Sequence, residues 1–215
     1  MSELTHCPNC QKKLQGGFMS SSVPLVSKEQ TRVINEYRDT KLDAYCNECG
    51  SNLYRHSCYR MSREINKLTE KMQELINAIP VVSTHSPLNW DYNILDMVTG
   101  QSTTGTGVIS EFTSSFTDLF GAQSKRHNQK LKAGEDMCFA QLRRQVMQLG
   151  GHAVIATDID YSELGAGKGM IMVCMAGTAV KLNNLDILGE ERVKQIAELF
   201  EVDKQLSYLQ TFKLE

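Results

Sequence analysis

The chain has 215 residues, 41% of them hydrophobic, with a formal net charge of −2. That apolar content supports one sizeable core plus a small appendage. The near-neutral balance argues against a general nucleic-acid coat, which needs a strong positive field. No apolar run approaches the roughly 20 residues needed to cross a bilayer.

In chain order, the first motif is Cys7-Pro8-Asn9-Cys10, answered by Cys46-Asn47-Glu48-Cys49-Gly50. Two such pairs offer four thiolates for a closed tetrahedral site, and the spacing predicts a zinc-ribbon-like module over residues 1–57 holding one structural Zn2+. A small residue at Gly50 would let the backbone turn back towards the metal. A redox reading of Cys-Pro-x-Cys needs a βαβ pattern that Gln11 to Ser27 do not show. A disulfide framework needs an oxidising compartment, and Met1 to His6 show no signal-peptide pattern. Cys58, Cys138 and Cys174 are odd in number and sit in apolar contexts. The expectation is a reduced, cytoplasmic protein. The insert between the pairs holds Gly16-Gly17 and Ser20-Ser21-Ser22, read as a turn, then a charged stretch from Lys28 to Asp43 with a short helix.

Residues 58–80 read as an amphipathic heptad helix. Cys58, Met61, Ile65, Leu68, Met72, Leu75 and Ile79 alternate at three- and four-residue steps, with Arg60, Arg63, Glu64, Lys67, Glu70, Lys71 and Glu74 between them, until Pro80 stops the helix. The pattern fits an intersubunit coiled coil or a helix lying on its own domain. Residues 80–91, with Trp90, read as a connector.

The main domain, residues 81–182, reads as strand, long helix, strand, strand, which is an α+β class. Asn93 to Thr99 alternates as a strand, continued by Gln101 to Thr104 past a bulge near Gly100, with Gly105 and Gly107 following. Phe112, Phe116, Leu119 and Phe120 are helix-spaced and fit a core. A helix ending near Leu149 buries Cys138, Phe139, Leu142, Val146 and Leu149, turns Gln141, Arg144 and Gln148 outward, and stops at Gly150-Gly151. Val154 to Tyr161 and Met170 to Lys181 follow as strands around a Gly-rich turn at Glu163 to Lys168. The tail, residues 183–215, carries a helix from about Gly189 with Val193, Ile196, Ala197, Leu199 and Phe200. Leu206, Tyr208, Leu209 and Phe212 extend its apolar content, so the tail is expected to dock.

Val98-Thr99-Gly100, the Phe112, Phe116 and Leu119 block, Gln148-Leu149-Gly150 and Ala153-Val154 form a series of landmarks. The series continues with Asp158-Ile159-Asp160-Tyr161 and Met172-Val173 through Gly177-Thr178-Ala179-Val180-Lys181. From about Asp91 to Leu182 this resembles the YbjQ-like family, also called heavy-metal-binding proteins. The resemblance implies a dodecin-like β-α-β-β fold, a sheet wrapped on one long helix, assembling as a ring-like pentamer, with no established reaction. The cysteine module, the heptad helix and the tail are departures from that pattern.

Within the main domain, Asp158 and Asp160 project to one face of a strand. They fit a pairing with Arg143, Arg144 or Lys181, an ion or small-ligand site, an acid/base pair, or a polar ring lining an oligomer channel. Met170, Met172 and Cys174 share a strand face that suits a soft ion, though a Met-rich core strand accounts for them too. Gly165-Ala166-Gly167-Lys168-Gly169 lacks the Ser/Thr of a phosphate loop and precedes a strand, so it reads as a hairpin turn. Lys125, Arg126, Lys130, Lys132 and His127 form a basic cluster or a solvated helix face. The reading with most support is a non-enzymatic homo-oligomer, with the ribbon contacting a protein partner. The alternative is metal or small-ligand sensing through Asp158 and Asp160. Enzyme and nucleic-acid readings stand behind these, and membrane insertion is not expected.

Overall fold

The computed structural model describes residues 4–14, 22–104, 122–164 and 170–214. Expectations for Gly16-Gly17 and Ser20-Ser21, Gly105, Gly107, Phe112, Phe116, Leu119, Phe120 and Gly165 to Gly169 lie outside them. So do those for the side chains of Lys125, Arg126, His127 and Met170. The chain divides into two compact units, residues 1–72 with 201–215, and residues 73–200. Among the described residues, no helix is long and apolar enough to cross a membrane.

In the first unit, a cysteine-bearing hairpin is followed by α1 (Lys28–Glu36) and then by α2, which begins at Asn47 and runs to Leu75. Ser27 and Gln30 form a capping box that starts α1. The side chain of Asn35 donates to the Leu42 carbonyl and accepts from the Leu42 N–H and the Tyr45 hydroxyl, which shapes the return from α1 to α2. Val33, Met61, Leu209 and Phe212 form a buried cluster, with Tyr37, Tyr54, Cys58, Ile65 and Leu68 packed around it. Members of the heptad stripe therefore lie on α1 and on the end of the chain. The tail docks here through Leu209 and Phe212.

In the second unit, β1 (Tyr92–Thr104), α3 (Ala122–Gln148), β2 (Ala153–Leu164) and β3 (Met170–Leu182) form a three-stranded antiparallel sheet of order β1-β3-β2 with α3 on one face. Val98, Gly100 and Ser102 alternate towards α3. A Cβ on Gly100 would lie 2.8 Å from the carbonyl oxygen of Cys138, and one on Gly134 would lie 2.7 Å from Val173 Cγ2. The close approach of helix and sheet thus needs a glycine on each side. Cys138, Leu142, Val146 and Met147 are buried along α3, whereas Leu149 is 43% exposed. It falls past the helix end, where Gly150 (φ 69°) and Gly151 return N–H groups to Met147 and Val146 in a Schellman arrangement.

The bulge expected near Gly100 lies earlier, between Ile94 and Asp96, and a second interrupts β2 between Ile155 and Asp158, where Ala156 adopts φ 53°. Residues 80–84 are more than a connector. The Val82 N–H donates to the Val154 carbonyl, the Val154 N–H donates to the Pro80 carbonyl, and Ala156 and Thr157 donate to the Thr84 and Val82 carbonyls, so this segment lies along the outer edge of β2. The outer edge of β1 is closed differently. The Gln145 amide pairs with both backbone groups of Thr99 (3.3 and 2.6 Å) and the Gln141 amide with both of Gln101 (2.9 and 3.0 Å). Gln141 is thus engaged rather than solvated, since one helical turn nearly matches the two-residue repeat of a strand.

α4 (Glu190–Leu209) starts after Gly189 (φ 85°) with Glu190 and Glu191 in its first turn. Ile196, Leu199, Val202, Leu206 and Leu209 are its buried residues, whereas Ala197 is exposed. His152 packs edge-on against Phe200 (6.1 Å between ring centres), and its Nδ1 is buried without a partner. Burial holds its pKa below the ordinary imidazole value against the opposing Leu182 carbonyl, and Lys181 adds to the depression. Below about pH 6.5 the unfolded chain takes up this proton first. Stability of the unit is therefore expected to fall as pH drops through that value, and to level off once the folded-state pKa is passed. In a denaturant series from pH 7.5 to 5, His152→Gln should flatten this slope relative to the unmodified protein.

Candidate metal centre

The first cysteine pair sits on a tight hairpin. His6 pairs with Lys13, the Cys7 N–H donates to the Lys12 carbonyl, and Gln11 takes the left-handed conformation (φ 60°) that brings the chain back. Cys46 itself forms the antiparallel bridge with Leu25 that joins it to the first half of the unit. α2 starts at the next residue, so Cys49 lies in its first turn and the Gly50 N–H donates to the Cys46 carbonyl. This corrects the expected turn at Gly50. The residue is helical, and its missing Cβ makes room for Val26 Cγ1, 2.5 Å from where that atom would be.

All four sulfur atoms lie within 4.8 Å of one another. Sγ···Sγ separations are 3.7 Å for Cys7 and Cys49, and 3.5 Å for Cys10 with Cys46 and for Cys46 with Cys49. A tetrahedron with metal–sulfur bonds of ~2.3 Å has edges of about 3.8 Å, so the donor set fits a zinc-sized soft ion. Burial pushes the Cys7 thiol up, but the backbone N–H groups of Cys10, Cys46 and Asn9 outweigh it and bring its pKa to about 6. Cys49 is pushed up to about 12 by burial together with the neighbouring thiols, against a hydrogen bond from Asn9. For Cys10, a backbone hydrogen bond at Lys12 favours the thiolate, but desolvation and the Cys46 and Cys7 thiols prevail and raise its pKa. Four thiolates this close need a cation to be ionised together.

Two further groups complete the centre. Lys12 bridges to Glu48, tying the hairpin to the first turn of α2, and its ammonium feels the Cys46 and Cys10 sulfurs. The start of α2 also places the positive end of the helix dipole at the thiolates. Glu48 carries a sequence signal as an acidic residue in a first turn, but Lys12 carries none.

Asp158 and Asp160 share the face opposite α3, across from Ala176 and Cys174, and both are exposed. They line a cavity of about 470 Å³ with Thr99, Gln101, Gln141 and Cys174. Among the described residues neither carboxylate forms a salt bridge with Arg143, Arg144 or Lys181. Arg143 donates instead to the Ile79 carbonyl and Asn77 Oδ1, and Asp160 Oδ1 accepts from the Tyr161 N–H. Met175 is buried on the opposite, α3-facing side, as its alternation requires. Of the expected basic cluster, Lys132 pairs with Asp136 at 2.8 Å.

A sheet backed by one long helix, together with a second unit that gathers four thiols able to hold a soft metal, defines an α+β protein. A family profile described as "Putative heavy-metal-binding" matches residues 80–183. UPF0145 proteins cover the same part. One from Clostridium botulinum (strain Alaska E43 / Type E3) is 31% identical over 103 residues, spanning 46% of this chain and 97% of that protein. Another, from Bifidobacterium longum subsp. infantis, is 29% identical over 109 residues, 51% of this chain and 96% of that protein. The chain belongs to this YbjQ family. A crystal structure of a protein with unknown function of the DUF74 family from Pediococcus pentosaceus covers 49% of this chain and 98% of its own, at 14% identity and a TM-score of 0.34. The relatives are matched over nearly their whole length, so the four-thiol unit is an addition to what they share with this chain.

Proposed function

We propose that this protein is a non-enzymatic binding or scaffold module in a reducing, cytoplasmic setting. In it, Cys7, Cys10, Cys46 and Cys49 hold one structural Zn2+, and the YbjQ domain joins copies into a ring-like pentamer. The observation that carries the reading is the convergence of four sulfurs within 4.8 Å at the start of α2. Zinc bound there would supply structure rather than chemistry, because all four positions are filled by protein ligands. Assembly would multiply weak contacts made by the zinc-held unit with a protein partner. Native mass spectrometry on reduced protein tests it. One zinc per chain in a multimer near five chains is expected, and a metal-free monomer would overturn both parts.

A second reading is favoured by the two carboxylates on the cavity opposite α3, neither of which forms a salt bridge among the described residues. There the YbjQ domain would bind a metal ion or small ligand through Asp158 and Asp160. Titration of Zn2+, Mn2+ and Ca2+ should then show a site beyond the four-thiol centre that disappears in the Asp158→Asn/Asp160→Asn double variant. Unchanged binding in that variant removes the reading.

A further inference from the structure

Opposite its buried stripe, α2 exposes Arg55, Tyr59, Arg63 and Lys67, each four residues from the last and so aligned along one side of the helix. Exposed His56 and Arg60 flank them. Tyr59 is 63% exposed, and the Arg63 guanidinium lies 5.8 Å from its ring centre. The Arg60 guanidinium lies 4.7 Å over the Tyr37 ring. Among the described residues, none of Arg55, Arg60, Arg63 and Lys67 forms a salt bridge. Glu64, the one acid within this stretch, accepts the Tyr37 hydroxyl.

An ordinary solvated helix face mixes its signs, as the next turns of this helix do with Glu70, Lys71 and Glu74. The stretch from Arg55 to Lys67 holds four Arg and Lys side chains against one acid, Glu64. Arg60 and Arg63, and Arg63 and Lys67, are like charges at neighbouring positions, a mildly destabilising arrangement that an anionic partner would reverse. A large aromatic ring held in water between cations adds a stacking surface. The net charge of −2 belongs to the whole chain and conceals this local excess.

We infer that this face of α2 binds single-stranded nucleic acid, with Arg55, Arg63 and Lys67 on phosphates and Tyr59 stacked on a base. Cations tracking a backbone beside a sequence-tolerant aromatic platform are the chemistry of single-strand recognition. In a duplex the bases are already stacked and Tyr59 has no ring to meet. The row from Arg55 to Lys67 is about 18 Å long, enough for a short run of nucleotides. The inference gives the zinc-held unit a nucleic-acid ligand in place of the protein partner proposed above, and rests on the proposed function only in that the metal site fixes the start of α2. Zinc content is therefore measured in every sample.

Fluorescence polarisation of the full-length, zinc-loaded protein with labelled oligo-dT and oligo-U of about 15 nucleotides tests this. Binding should weaken with salt, with log K falling by about 0.7 per phosphate neutralised for each tenfold rise in salt. Arg55→Gln/Arg63→Gln should lower affinity at least about tenfold and reduce the salt slope by more than about one unit. Tyr59→Ala should lower affinity between about 5- and 100-fold with the slope unchanged, and Tyr59→Phe should restore it. Full zinc content without binding at low salt overturns the inference and leaves the metal site standing. A Tyr59→Ala variant that binds both oligonucleotides as well as the unmodified protein also overturns it, pointing to an acidic protein surface as the partner. Preference for duplex overturns it too.

Discussion

Stripping the metal with a chelator, or changing Cys46 to Ser, is expected to unfold the four-thiol unit while the sheet-and-helix unit stays folded. The first unit has only small apolar clusters among the described residues, Val33, Met61, Leu209 and Phe212 in one and Cys7, Leu14 and Cys46 in another. A structural zinc site contributes about 10–16 kcal/mol of apparent binding free energy, more than the whole stability of many domains. Cys46 is fully buried, its N–H donates to the Cys7 sulfur, and it is followed at once by α2, so its loss removes a ligand and the start of the helix together. Hydrogen exchange followed by peptide mass analysis reads the result directly. Protection should disappear in residues 22–60 and persist in β1, β3 and α3. Loss of protection throughout would contradict the division into two units.

The second large effect is expected at Gly100. Valine there would place a Cβ 2.8 Å from the carbonyl oxygen and 3.0 Å from the Cα of Cys138, and both contacts are with backbone. No rotamer change relieves them, so α3 must move off β1. Overpacking of this kind costs about 3 kcal/mol, which lowers the melting temperature of a domain this size by roughly 10 °C or more. Gly150→Ala is the contrasting case. Open space surrounds Gly150, and only its positive φ resists substitution, so the cost should stay near 1 kcal/mol. Equal melting temperatures for the two variants would remove the packing argument.

The strands, the long helix and the four metal-ligand candidates were legible because each rests on a local repeat. Alternation marks β1 and β3, three- and four-residue steps mark α2 and α3, and paired Cys-x-x-Cys marks the thiols. Ambiguity entered where one local pattern serves two structures. Cys46-Asn47-Glu48-Cys49 has the spacing of a hairpin knuckle and equally that of a first helical turn, so the heptad pattern from Cys58 does not reveal that α2 begins at Asn47. Gln141 read as a solvated position, because only the register of α3 against β1 reveals that its amide meets Gln101. Leu209 and Phe212 announced burial but not the partner, since Val33 and Met61 are far away in sequence. Ala156 gave no glycine signal for its left-handed backbone, and that Asp158 forms no salt bridge among the described residues is a fact of three dimensions.

The glutamine amides along β1 have a consequence for how copies of this domain can meet. Thr99 and Gln101 present the N–H and C=O groups that a foreign strand would need, and all four are already occupied by Gln145 and Gln141. Both glutamines belong to α3, one turn apart, so they release the strand together or not at all. The helix that completes the core thus doubles as a lock on polymerisation. Growth by strand addition at this segment becomes available only to a molecule whose α3 has already come loose, which ties fibre formation to loss of the native fold.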